Sequence, residues 1–171
     1  MKNFINNYLK EIEETASLLN KDVIQKIIFF LKKTKKNKGR IFFLGVGGGS
    51  GNATHAVNDF RKIANFECYS PSDNSSELTA RINDDGWDST YKNWLLTSNI
   101  SKNDSIFIFS VGGGDIKRKI SMNIVEAIKK SGFKNGKDVS ICLDVAANEL
   151  FKGNKYSIHS KKFITVDQSI K

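Results

Sequence analysis

Gly45-Val46-Gly47-Gly48-Gly49-Ser50-Gly51 restricts this chain more than any other stretch. It follows the apolar run Arg40-Ile41-Phe42-Phe43-Leu44, which has the character of a buried strand, and precedes residues 56–63, which read as a helix. A strand that passes through glycines into a helix leaves backbone N–H groups unpaired at the positive end of the helix dipole, which makes a seat for an anion. Phosphate is the expected guest. A second such run, Val111-Gly112-Gly113-Gly114-Asp115, follows the strand-like Ser105-Ile106-Phe107-Ile108-Phe109-Ser110. Ligands of open α/β sheets collect at the carboxyl ends of the strands, so two glycine turns there can hold a phosphate and its sugar together.

The rest of the chain supplies the layers. Ile5, Tyr8, Leu9, Ile12, Ala16 and Leu19 recur at helical spacing over residues 3–19, and Val23, Ile24, Ile27, Ile28, Phe30 and Leu31 do so over 21–36. These two helices present more apolar surface than one neighbour needs, so residues 1–38 are expected either to pack on the sheet or to meet another subunit. Residues 65–70 read as a second strand ending at Pro71. Ser75 or Ser76 is the expected cap of a helix through Arg81, and Asp88 or Ser89 of one carrying Trp94 and Leu95. A helix begins near Ser121, a strand covers 138–145, a short helical piece 148–152, and edge strands cover 156–159 and 163–166. Alternating strands and helices imply one α/β domain over 1–171, its core at 39–171 a largely parallel sheet with helices on both faces.

Composition narrows the function. The net charge of +9 would suit nucleic acid, but the lysines are scattered and gather only at residues 32–38, without an arginine-aromatic pattern. Neither nucleic acid nor a membrane is therefore an expected partner, since no apolar run approaches the roughly 20 residues of a span. Cys68 and Cys142 lie singly in apolar runs, as reduced buried thiols do, which suits a cytoplasmic protein. The glycine pattern approximates the dinucleotide fingerprint but departs at its third position, and the acid expected about 20 residues later falls on Glu67, inside the strand. A P-loop is excluded because no Gly-Lys-Ser/Thr follows.

His55 and Asp59, at i and i+4 on the helix leaving the first turn, share a face. A carboxylate beside an anchored sugar phosphate can move protons, while an imidazole can polarise an oxygen or bind a metal. The plain alternative is a local surface hydrogen bond.

Residues 45–60, Asn83-Asp84-Asp85-Gly86-Trp87, 109–114 and Asn123-Ile124-Val125-Glu126-Ala127 together resemble the sugar isomerase (SIS) domain, and most closely the phosphoheptose isomerases. The resemblance implies a three-layer, flavodoxin-like sandwich in a homo-oligomer, dimer or tetramer, that interconverts sedoheptulose 7-phosphate and D-glycero-D-manno-heptose 7-phosphate through an ene-diolate. It implies Asp59 and His55 as catalytic residues, and no required cofactor, with zinc a guest of His55 in some members. Gly47, Gly48, Gly49, Ser50, Asn52, Ser110, Gly112, Gly113 and Ser121 would form the phosphate cradle, and Asp84 would contact the sugar. The chain departs from the family in four places. Asp59 stands where the family has glutamate, Gly49 where the first turn usually has serine, and glycines replace hydroxyls in the second turn beside Asp115, whose charge Lys117, Arg118 or Lys119 would offset. After Val145 nothing reads as the family's terminal helix, which carries a glutamine and a histidine; His159 is the other histidine of the chain.

Overall fold

The computed structural model describes residues 2–111, 113–130, 139–142, 151–152 and 155–156. They divide into two compact units, one ending at Lys33 and one beginning at Thr34. The first holds α1 (Lys2–Ser17) and most of α2 (Lys21–Lys36). Asn20 starts α2, its side-chain oxygen accepting the N–H groups of Asp22 and Val23. Both helices keep apolar residues in the open, among them Ile5, Leu9, Ile12, Ile24, Ile28 and Phe29, the last 63% exposed.

In the second unit, β1 (Ile41–Gly45), β2 (Cys68–Tyr69), β3 (Ser105–Phe109) and β4 (Val139–Cys142) form a sheet in the order β2-β1-β3-β4, with every neighbouring pair parallel. This is the beginning of the flavodoxin-like order, with its switch between β1 and β3. Strand alternation sends the two faces to different partners. Phe42, Leu44, Ile106 and Ile108 join Tyr91, Trp94 and Leu95 of α5 (Trp87–Thr97) and Ile124, Ala127 and Ile128 of α6 (Met122–Lys130) in the core. Full burial of each of these large side chains is worth about 1.5–3 kcal/mol. On the other face, Phe43, Phe107 and Phe109 stack among themselves and with Phe60 of α3 (Gly48–Lys62). Helices thus cover the sheet on both sides, as expected.

Several local expectations need correction. The helix expected from residue 56 begins at Gly48, so most of the glycine run is helical and the turn is only Val46-Gly47. The buried stripe Gly49, Ala53, Val57 explains this: small residues at every fourth position let the helix lie against the strands. The second strand shrinks from 65–70 to two residues, because Asn65 (φ 50°) and the Phe66 N–H bonded to the Phe60 carbonyl still finish α3, while Ser70 and Asp73 cap each other in the following turn. Asn74, not Ser75 or Ser76, caps α4 (Ser75–Asp85) by accepting the Glu77 N–H, and the helix runs beyond Arg81. Gly86, with φ 78°, precedes α5 in place of the expected Asp88 or Ser89. Phe151–Lys152, expected to be helical, pairs as β5 with β6 (Lys155–Tyr156), antiparallel. Residues 143–145, 148–150, 157–159 and 163–166 and the Cys142 side chain lie outside the described residues.

At the amino end of the sheet, Arg40 and Asp104 hold β1 and β3 in register. Arg40 gives Asp104 its backbone N–H, its Nε and its Nη2, and gives Nη1 to the Ser98 carbonyl. Burial disfavours the Asp104 carboxylate most strongly of any single influence. The hydrogen bonds from Arg40 and from the Ser101 N–H together outweigh it, so Asp104 titrates below the ordinary carboxylate range.

Candidate functional site

The start of α3 and the end of β3 are in direct contact. A Cβ on Gly49 would sit 2.6 Å from the Phe109 carbonyl oxygen, and one on Gly45 would run into the Gly49 carbonyl. These two positions accept only glycine because backbone meets backbone there. The approach sets the first turn beside the strand from which the second emerges, at the β1/β3 switch. Tyr91, 1% exposed, braces the place from below: its hydroxyl donates to the Gly45 carbonyl, and burial pushes its pKa up to about 12.

Within the first turn, Gly47 takes φ 58° and ψ −122°, a conformation suited to glycine. The Gly49 and Ser50 N–H groups already bond the Val46 and Gly47 carbonyls at 3.1 and 3.0 Å. The N–H groups of Gly47 and Gly48 have no such partner among the described residues, so they are the donors an anion would meet. Gly49 serves close packing, and Ser50 and Asn52 lie within the helix.

The second turn is built differently from the sequence expectation. Ser110, 8% exposed, accepts the Gly113 N–H on its hydroxyl at 3.0 Å, which leaves the hydroxyl proton available to a ligand. Gly113 and Gly114 both have positive φ, while Gly112 lies outside the described residues. Asp115 and Ile120 then pair through both N–H···O bonds, closing a small loop over residues 116–119. That loop returns Ser121 to the turn, where its carbonyl lies 3.4 Å from the place a Gly114 Cβ would take. Asp115 is neutralised locally: the Arg118 backbone N–H and its Nε bond the carboxylate at 3.0 and 2.7 Å, which lowers its pKa. Of the three cations expected to offset it, Arg118 does so.

His55 Nε2 and Asp59 Oδ2 are 3.2 Å apart, with side chains 77% and 43% exposed. The shared face is confirmed. At 1.5 Å rise per residue, α3 carries them about 10 and about 16 Å from Gly48, so neither adjoins the anion donors. Asp84 is exposed in the last turn of α4 and accepts the Asn83 amide at 2.8 Å. Zinc needs at least three protein ligands. No group of three His, Cys, Asp or Glu side chains comes together among the described residues, so His55 and Asp59 do not make a zinc site by themselves.

A cavity of about 300 Å³ lies elsewhere, lined by Phe42, Tyr69, Trp94, Arg40, Asp73 and Glu77 among others and by no residue of either turn. Its polar groups are committed: Asp73 to the Ser70 N–H, Glu77 to Arg81, Arg40 to Asp104. Cys68 is buried and its thiol is raised to about 11, chiefly by that burial, so it is no nucleophile. Sequence reasoning missed Tyr91 and Asn123, whose parts depend on contacts that spacing along the chain does not encode.

No protein-family model matches the chain. Among solved structures, it superposes on the phosphoheptose isomerase of Neisseria gonorrhoeae with a TM-score of 0.65 and 18% identity, covering 91% of this chain and 83% of that one. For the phosphoheptose isomerase of Francisella tularensis the values are 0.62, 14%, 91% and 82%. The fold is therefore the phosphoheptose isomerase fold. A different likeness is short and close: 48 residues, 28% of the chain, are 83% identical to the enolase of Pelagibacter ubique, of whose length the chain spans 12%. Among the described residues no helix is long and apolar enough to cross a membrane.

Proposed function

We propose that the chain binds a sugar phosphate across its two glycine turns and acts as an aldose–ketose isomerase, interconverting sedoheptulose 7-phosphate and D-glycero-D-manno-heptose 7-phosphate. The observation that carries this is the contact of Gly49 with the Phe109 carbonyl, which brings the two turns to one crevice. The Gly47 and Gly48 N–H groups and the Ser110 and Ser121 hydroxyls hold the phosphate, the first pair assisted by the dipole of α3. Asp59, paired with His55, is the proton-moving group. It removes a proton from one of C1 and C2 and returns it to the other, while His55 donates to the oxygen that becomes the ene-diolate hydroxyl. Because Asp59 is three turns along α3 from the anion end, the arrangement favours a long open-chain substrate over a compact one. Asp84 contacts the sugar. Self-association through the exposed faces of α1 and α2, and residence in the cytoplasm, belong to the same reading.

A second reading, binding without turnover, has its own support. Residues 115–171 are the one stretch free of the turn and Asn-Asp-x-Gly motifs that is long enough to hold the 48-residue enolase-like block. We infer that the block lies there, in place of the terminal helix from which phosphoheptose isomerases would take a catalytic histidine. The pure protein incubated with sedoheptulose 7-phosphate and followed by NMR separates the two readings. New aldose signals, lost in Asp59→Asn, establish the isomerase; binding without conversion establishes the second reading; conversion undiminished in Asp59→Asn removes Asp59 as the base.

A further inference from the structure

We propose that Asn123 is a positioning residue of the second turn, a clamp that closes the turn when an oxyanion enters; the proposal rests on the phosphate reading given above. Asn123 stands in the first turn of α6 and is fully buried. Its Oδ1 accepts the Ile124 N–H at 2.9 Å. That bond holds the carboxamide over the amino end of α6, where helix N–H groups point outward and the dipole is positive. Its Nδ2 has no hydrogen-bond partner among the described residues. Native proteins pair the great majority of such buried groups, so an unmet donor at this place calls for an explanation.

The second turn packs against the same first turn of α6. A Cβ on Gly114 would come 2.6 Å from Val125 Cγ2 and 3.3 Å from the Ile120 carbonyl. The Ser110 hydroxyl, the start of α6 and the unmet Asn123 donor are thus gathered around Gly113 and Gly114. A tetrahedral oxyanion of the phosphate-monoester class has the acceptor oxygens this group of donors lacks. Nδ2 is sealed from solvent, so it gains an acceptor only if its cover moves. Left-handed glycines at Gly113 and Gly114 give that cover two freely turning links. When the anion draws the turn inward, Nδ2 takes a turn carbonyl and locks it there.

The uniformly 15N-labelled wild-type protein, titrated with inorganic phosphate, tests this without relying on any variant. The Asn123 side-chain NH2 signals should move downfield with the same midpoint as the Gly113 backbone amide, and their exchange with solvent should slow. Asn123→Leu and Asn123→Asp, where folded, should each weaken phosphate binding about tenfold or more, the equivalent of one hydrogen bond. Movement of Gly113 with an unmoved Asn123 NH2 pair overturns the clamp and leaves the anion site standing. Stillness of both overturns the anion site, and the clamp with it.

Discussion

Asp59 shows how much a single side chain decides. Its carboxylate is one methylene shorter than the glutamate that the phosphoheptose isomerase pattern places there, and a misplacement of about 1 Å can cost on the order of a hundredfold in rate. Asp59→Glu is therefore expected to raise turnover of sedoheptulose 7-phosphate by about ten- to a hundredfold with little change in KM, as steady-state kinetics will show. Tyr91 is decided by burial instead. Its hydroxyl is the group that satisfies the Gly45 carbonyl, and Tyr91→Phe should cost about 1–2 kcal/mol in chemical denaturation while leaving the fold intact. The candidate residues His55, Asp59, Asp84 and Ser110 could be picked from the sequence because their spacing along the chain is enough to single them out. Asn123 could not, since its importance lies in a hydrogen bond it does not make.

At the scale of elements, strands and long helices were legible because their apolar periods are strong: β1, β3, α1 and α2 fall within a residue or two of the expected limits. The start of α3 was not legible. Glycines favour a turn by their own propensity, and only the contact with β3 makes a helix of them. Two substitutions separate these effects. Gly49→Ala forces a methyl group onto the Phe109 carbonyl, and overpacking of this kind costs about 1–3 kcal/mol. It should also spread the turns and weaken phosphate binding, measurable by calorimetry. Gly51→Ala meets nothing within 4 Å, sits in the same helix, and should stabilise by about 0.5–1 kcal/mol in the same denaturation assay.

For the molecule as a whole, stability and assembly draw on parts away from the turns. Asp104 has a pKa lowered by folding, so its contribution is present at pH values above the ordinary carboxylate range and is lost as the pH falls through its depressed folded value. The melting temperature should fall with acidification through that window, and less so in Asp104→Asn, which at neutral pH should already be about 2–3 kcal/mol less stable. The exposed faces of α1 and α2 predict association: analytical ultracentrifugation should find dimers or tetramers, and Leu9→Glu with Phe29→Glu should shift them towards monomer. The layered core of the second unit was readable from alternation alone, whereas the enolase-like block carries no pattern that spacing could have exposed. The central claim is that one phosphate spans both turns, and a crystal soaked with sedoheptulose 7-phosphate measures it most directly. The account predicts phosphate density within hydrogen-bonding distance of the Gly48 N–H and the Ser110 hydroxyl together, with the sugar running along α3 towards Asp59; density bound elsewhere, or on one turn alone, would contradict it.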